Sequence, residues 1–222
     1  MDSVLVVIVF TAHKQYCRFL FPKIYQMLTY ENKQCYFVTE KECPELGRQP
    51  TGEQRAAAGR QAGIKKAIEE DFDWVFFLDA DTAPDPDIIE KLLSVKYALV
   101  GGMHAARGNP WHCIGHNYKR RKTLERVWLR KEELKGTPEV DGISGGTLLI
   151  AKGVFHRVDY SGYVGPATIP NRYTADDEYL LIKIFESLKL RPKVATNAFS
   201  WHHSDDGRAY QLWGKVKQWR EF

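Results

Sequence analysis

The sequence predicts an α/β fold: a mostly parallel central sheet flanked by helices. Three observations carry this. Apolar runs of five to seven residues alternate with longer helix-forming segments through the first half of the chain, as parallel strands joined by crossover helices require. The runs at 4–10 and 74–78 are apolar at every position, so the strands they form must be buried on both faces. The second run stops abruptly at Asp79-Ala-Asp81, which places two carboxylates at the carboxyl edge of the sheet, where open α/β sheets bind ligands.

In order along the chain, residues 4–10 are the first strand, a helix is expected over about 15–30, and residues 35–39 are a second strand. Residues 53–70 are rich in Ala and other good helix formers and lie between Gly52 and a turn near Asp71. After the strand at 74–78, Pro84-Asp-Pro86 opens a helix reaching about Ser94, with Asp85 and Asp87 near its positive end. A fourth strand at 97–100 is closed by Gly101-Gly102, and 102–110 reads as a loop. Residues 123–134 suit a strand or a helix. Gly145-Gly146 precedes an apolar run at 147–151, and 176–188 carries apolar residues at helical spacing. Residues 193–196 and 198–201 are short extended pieces. In the tail, 208–222, Tyr210, Trp213, Val216 and Trp219 recur every three residues, which predicts a one-sided, docked helix.

The 222 residues suffice for one substantial core, and 44% hydrophobic with 27% charged residues excludes a disordered or fibrous chain. The first apolar stretch is too short to span a bilayer and lacks a basic leader and cleavage site, so no membrane insertion or signal peptide is expected. Cys17, Cys35, Cys43 and Cys113 show no C-x-x-C spacing and read as free thiols in a reducing cytoplasm. The net charge is +4, but 119–135 alone holds eight Lys/Arg against three Glu, a local +5. Two readings are open for that segment: a solvated amphipathic helix, or contact with a phosphate-rich partner.

Asp79 and Asp81 make a hard oxygen site suited to Mg²⁺ or Mn²⁺, an ion that can neutralise a diphosphate and help it leave. The plainer reading makes them caps for the helix near Pro84. Five segments in order then resemble the family 2 glycosyltransferases, which have the GT-A (nucleotide-diphospho-sugar transferase) fold. These are Val6-Val-Ile-Val-Phe-Thr11, Ala58-Gly-Arg60-Gln-Ala-Gly63-Ile64, the stretch from Trp74 to Pro86, Gly145-Gly-Thr-Leu-Leu-Ile150 with Gly153-Val-Phe155, and Asp176-Asp-Glu-Tyr-Leu180. Counting on without gaps, His202 falls on the family's terminal His. Gln61 replaces a usual Asn, Asp176 a common Glu, and Tyr179 a common second Asp.

The resemblance implies a metal-dependent transfer of sugar from a UDP- or GDP-sugar to an acceptor hydroxyl, with inversion. It implies a single domain, 1–222, with a donor half at 1–102, an acceptor half at 103–207 and the tail beyond. Thr11, Arg60, Asp79 and Asp81 would bind the donor. Asp81 and His202 would hold Mn²⁺ (or Mg²⁺), with His203 as the ligand if the register slips by one; the imidazole favours manganese. Asp177 would be the general base, or simply cap its helix. Gly145 and Gly146 permit close backbone approach on the acceptor side. Asp141 would touch the acceptor or shape a turn, and Trp111 offers a ring for stacking. The other histidines, including His104, His112 and His116, form no ligand spacing. The acceptor is open: a saccharide, a protein or a modified DNA base.

Three other readings compete. A DNA-modifying glycosyltransferase would reach a hydroxymethylated base through the basic 119–135 segment. A sugar nucleotidyltransferase would need a glycine-rich loop after the first strand, where Thr11-Ala-His-Lys14 has no glycine. A non-catalytic nucleic-acid-binding protein leaves Asp79, Asp81 and His202 unexplained.

Overall fold

A computed structural model of the chain describes residues 1–9, 23, 26–38, 52–106, 109–113, 115–120, 125–159, 168–169, 172–173, 176–204, 208–211 and 214–218. The elements begin with β1 (Val4–Val9), β2 (Lys33–Val38), α1 (Gly52–Glu69), β3 (Trp74–Asp79), β4 (Thr82–Pro84) and α2 (Ile88–Ser94). There follow β5 (Leu99–Ala106), β6 (Asn109–Cys113), β7 (His116–Arg120), β8 (Glu125–Trp128) and a 3-10 turn at Lys131–Glu133. The remainder comprises β9 (Thr147–Ala151), α3 (Lys152–Phe155), β10 (Thr168–Ile169), β11 (Arg172–Tyr173), α4 (Asp176–Leu188), β12 (Lys193–His203), β13 (Arg208–Gln211) and β14 (Lys215–Gln218).

The main sheet runs β14-β13-β12-β5-β9-β3-β1-β2, with β4 added to β12 and β6 to β5. Strands β1, β2 and β3 are parallel, β5 and β12 are parallel, and β9 is antiparallel to both β3 and β5. Five strands therefore share one direction, β9 runs against them between β3 and β5, and β4, β6 and β13 are antiparallel additions at β12 and β5. The reversal of β9 has a consequence. Because Thr147 of β9 lies opposite Leu78 of β3, the Gly145-Gly146 segment arrives at the edge where β3 delivers Asp79.

Alternation along the central strands feeds two cores, one on each face. Leu5, Val7 and Val9 join Val75, Phe77, Leu148 and Ile150 under α1, while Val4, Val6 and Ile8 join Phe76, Leu78 and Leu149 over α2. Helix α1 lies unusually close to the sheet. A Cβ added at Gly59 would lie 2.7 Å from Val9 and one at Gly63 2.6 Å from Val7, so these two glycines, one turn apart, set the helix on β1.

Several sequence expectations are corrected here. Pro84-Asp-Pro86 does not open the helix: Pro84 ends a strand, 82–84, whose backbone pairs with β12, and α2 begins only at Ile88. Asp85 accepts hydrogen bonds from Lys91 and from the Phe199 amide instead of capping that helix. Gly101-Gly102 does not close β5, which runs on to Ala106, and the expected loop at 102–110 is largely strand. The reason is crowding, since a Cβ at Gly102 would stand 3.1 Å from Thr147 Oγ1 and 3.2 Å from the Ala198 carbonyl. The basic segment is a β-hairpin, β7 with β8, followed by the 3-10 turn, not a helix. The two extended pieces near 193–201 are one strand, and a register shift between Val194 and Phe199 accounts for their apparent break.

The tail is also corrected. Residues 208–211 and 215–218 form a hairpin on the edge of β12, with Tyr210 opposite His202 and Ala209 opposite His203. An open strand edge offers backbone partners that outweigh a three-residue apolar spacing; there Tyr210 is buried and Val216, opposite it, is exposed. Trp213 and Trp219 lie outside the described residues. So does most of the helix expected over 15–30, of which Lys23, Gln26 and Met27 are helical and 28–30 are not. Among the described residues no helix is long and apolar enough to cross a membrane.

Gly63→Ala tests the close approach of α1. Helix propensity alone would stabilise such a change by about 1 kcal/mol. Overpacking against the stiff Val7 side chain opposes it by about 1 to 3 kcal/mol. Urea denaturation is expected to show net destabilisation, and a gain in stability would mean that the helix stands off the sheet.

Candidate active site

Asp79 is the last residue of β3, opposite Val9 of β1, and its amide donates to the Gly146 carbonyl at 3.2 Å. The chain then turns through Ala80 and Asp81 into β4, which pairs with β12 so that Thr82 faces His202. The His203 amide donates to the Asp81 carbonyl at 2.7 Å, closing this corner. Asp81 Oδ2 and His202 Nε2 are thereby brought to 3.5 Å.

His202 Nδ1 lies 3.0 Å from the Ala105 carbonyl. An acceptor there holds the ring proton on Nδ1 and leaves the Nε2 lone pair turned toward Asp81. His104 stands edge-on to His202, with ring centres 5.5 Å apart, and its Nδ1 is 3.4 Å from Thr147 Oγ1. Burial, reinforced by His202 and opposed by Asp81, brings the His104 pKa down to about 3, so its imidazole is neutral. His203 is fully buried, and burial, opposed by Asp81, lowers it to about 4.

Arg60 projects from α1 into the same corner. It is 4% exposed, its Nη2 donates to Asp79 Oδ1 at 2.8 Å, and its guanidinium lies 5.8 Å from the centre of the Phe77 ring. A surface arginine is excluded. Burial raises the Asp79 pKa, Arg60 pulls it down, Asp81 and Asp177 push it up, and His202 pulls it down; the net direction is upward. The glycine segment lies directly on this ion pair. A Cβ at Gly145 would come 2.5 Å from Arg60 Nη2, and one at Gly146 would come 2.9 Å from Asp79 Oδ2.

Asp177, in the first turn of α4, accepts from the Gly145 amide on Oδ2 at 2.9 Å and from the Glu178 amide on Oδ1 at 2.7 Å. Its carboxylate therefore ties the helix start to the glycine segment. Asp141 is engaged elsewhere: Oδ2 accepts from the Tyr118 amide at 2.8 Å, and Oδ1 lies 3.1 Å from Arg191 Nε. Of its two expected roles, shaping the chain accounts for these contacts. Thr11 lies outside the described residues. Trp111 is carried by β6, and the placement of its side chain also lies outside them.

The structure thus brings together Arg60, Asp79, Asp81, Gly145, Gly146, Asp177 and His202. It adds two residues that were not among the site candidates: His104, set aside for want of a ligand spacing, and Glu178. His104 lies near the end of β5, at the same sheet edge as Asp79, and no local sequence signal marks it. Glu178 occupies a variable place in the family pattern, yet it is 4% exposed and bonds Tyr118 and Arg126. Among the described residues, no group of three or more His, Cys, Asp or Glu side chains is arranged to hold a metal ion. Asp81 and His202 are two such donors.

The family match makes this mixed α/β sheet that of a GT-A glycosyltransferase, an enzyme class that draws on a nucleotide-linked sugar. The chain belongs to glycosyl transferase family 2, whose profile matches residues 29–159, more than half of its 222 residues. Among solved structures it is similar in fold to the crystal structure of A197 from STIV, at 16% identity and a TM-score of 0.57 over 98% of this chain and 94% of that one. A glycosyltransferase involved in the glycosylation of the major capsid of PBCV-1 also matches, at 12% identity and a TM-score of 0.48 over 87% of this chain and 81% of that one. No curated protein matches the sequence.

The Arg60 contact can be tested on stability alone. Arg60→Met strips the partner from a carboxylate in a confined corner, and a loss of about 1 to 3 kcal/mol is expected by urea denaturation. Adding Asp79→Asn should recover part of that loss. Strictly additive effects in the double-mutant cycle would show that the two side chains do not interact.

Proposed function

We propose that the protein is a metal-dependent, inverting glycosyltransferase that moves a sugar from a UDP- or GDP-sugar to an acceptor hydroxyl. The observation that carries this reading is the approach of Asp81 Oδ2 and His202 Nε2 to 3.5 Å, with Nδ1 engaged by the Ala105 carbonyl. Two electron-rich atoms so placed suit a shared cation, and a carboxylate oxygen beside an imidazole nitrogen fits Mn²⁺ better than Mg²⁺. The residues present fit such an ion, with diphosphate oxygens supplying further ligands. Bound there, the ion would neutralise the departing diphosphate.

The other residues support roles around that centre. Asp79, oriented by Arg60, faces the edge where the nucleotide would lie, so Arg60 acts through Asp79 as a positioning residue. Gly145 and Gly146 leave room for the ion pair and for a sugar passing over it. Asp177 is the proposed general base. Two backbone amides fix its orientation, and its remaining lone pairs can take the proton of an attacking hydroxyl. Attack from the side opposite the diphosphate inverts the anomeric carbon.

Calorimetry with UDP and GDP, with and without Mn²⁺, separates these roles. Asp81→Ala is expected to abolish the metal-dependent part of nucleotide binding, and binding indifferent to both metal and mutation would refute the site. Asp177→Asn should leave nucleotide affinity unchanged while turnover, read as nucleoside diphosphate release, falls about 10²- to 10⁴-fold. A loss smaller than about tenfold would assign Asp177 to capping alone.

A further inference from the structure

The hairpin β7–β8 has one face that the reaction so far leaves unused. In its antiparallel register His116 lies opposite Trp128 and Tyr118 opposite Arg126, so these four side chains share that face. A single buried carboxylate holds it. Glu178 Oε1 accepts from the Tyr118 hydroxyl and from Arg126 Nε at 3.2 Å, and Oε2 accepts from Arg126 Nη2. His116 Nε2 is 3.8 Å from the same carboxylate. Glu178 adjoins Asp177 in the first turn of α4, and the charge of Asp177 is felt at both His116 and Arg126. The hairpin face is therefore fastened next to the proposed base.

Trp128 is the open part of that face. Its ring packs edge-on against His116, with centres 5.4 Å apart, and the Arg126 guanidinium sits 5.9 Å from its centre, yet 40% of the residue is exposed. A braced aromatic ring offers contact area at little cost in side-chain entropy. The charged groups nearby are paired with one another. Arg126 is taken up by Glu178, and Arg191 by Asp141 and Glu139. These two cations are committed to carboxylates, and the exposed part of the face is the indole itself. The C–H face of a neutral sugar ring suits the negative face of an indole.

We propose that this face is the acceptor platform: a saccharide ring stacks on Trp128, and Glu178 is the positioning residue that sets the platform beside Asp177. The proposal deepens the transferase reading and rests on its assignment of Asp177. The test uses the full chain labelled with 5-fluorotryptophan, with the Trp128 fluorine resonance assigned by Trp128→Phe. Methyl glycosides of glucose, galactose, mannose and N-acetylglucosamine are titrated in turn, and a thymidine oligonucleotide separately. At least one glycoside is expected to shift the Trp128 resonance saturably. Glu178→Gln should weaken that response at least about tenfold while Mn²⁺-dependent nucleotide affinity is unchanged. Arg126→Lys, which keeps the charge but loses the fork, should weaken it too and covers the case in which Glu178→Gln does not fold. The proposal is overturned if no glycoside moves Trp128, if both variants leave the affinity intact, or if the oligonucleotide alone moves it in a salt-dependent way. Because the glycosides are titrated without donor, absent nucleotide binding would count against the donor site and not against the platform.

Discussion

The antiparallel register of β4 against β12 is the constraint on which the carboxyl edge depends. Main-chain pairing of Thr82 with His202, and the bond from the His203 amide to the Asp81 carbonyl, bring together residues from distant parts of the chain. Side chains alternate along a strand, so a slip of one residue would exchange His202 for His203. As built, His202 meets Asp81 while His203 is sealed in the interior. Three short pairs of backbone residues therefore decide which imidazole is available.

A second constraint is the absence of side chains at four glycines. Gly59 and Gly63 let α1 settle on Val9 and Val7, and this closeness allows Arg60, from the same helix, to reach Asp79. Gly145 and Gly146 then let the chain pass over the resulting ion pair without displacing it. Packing comes first and the electrostatics follow from it. A buried guanidinium beside a carboxylate is sustainable only where both are fixed, and the glycines supply that fixity.

Helix α4 joins the two sides of the edge through adjacent carboxylates. Asp177 bonds the glycine segment over the ion pair, and Glu178 bonds the β7–β8 hairpin. The hairpin and the glycine segment are thus fastened to the same first turn, through adjacent residues. The reversed strand between β3 and β5, β9, serves the same arrangement by returning the chain to that edge just where Gly145 and Gly146 are needed.

The sequence by itself determined the α/β class, the central strands, α1, α4 and the placing of Asp79 and Asp81 at a strand end. Each of these is written in local signals: runs apolar at every position, helical spacing over 176–188, and an apolar run broken by acid. Tertiary structure decided the rest. The tail carries helical spacing yet forms a hairpin, because the open edge of β12 lies beside it. Gly101-Gly102 reads as a stop yet lies within β5, because its neighbours crowd in from β9 and β12. His104 and Glu178 gain their partners from β9, β12 and the β7–β8 hairpin, far away in the chain. Period and composition report on what a residue's own segment must bury. Which distant backbone or charge stands opposite is set only when the segments pack.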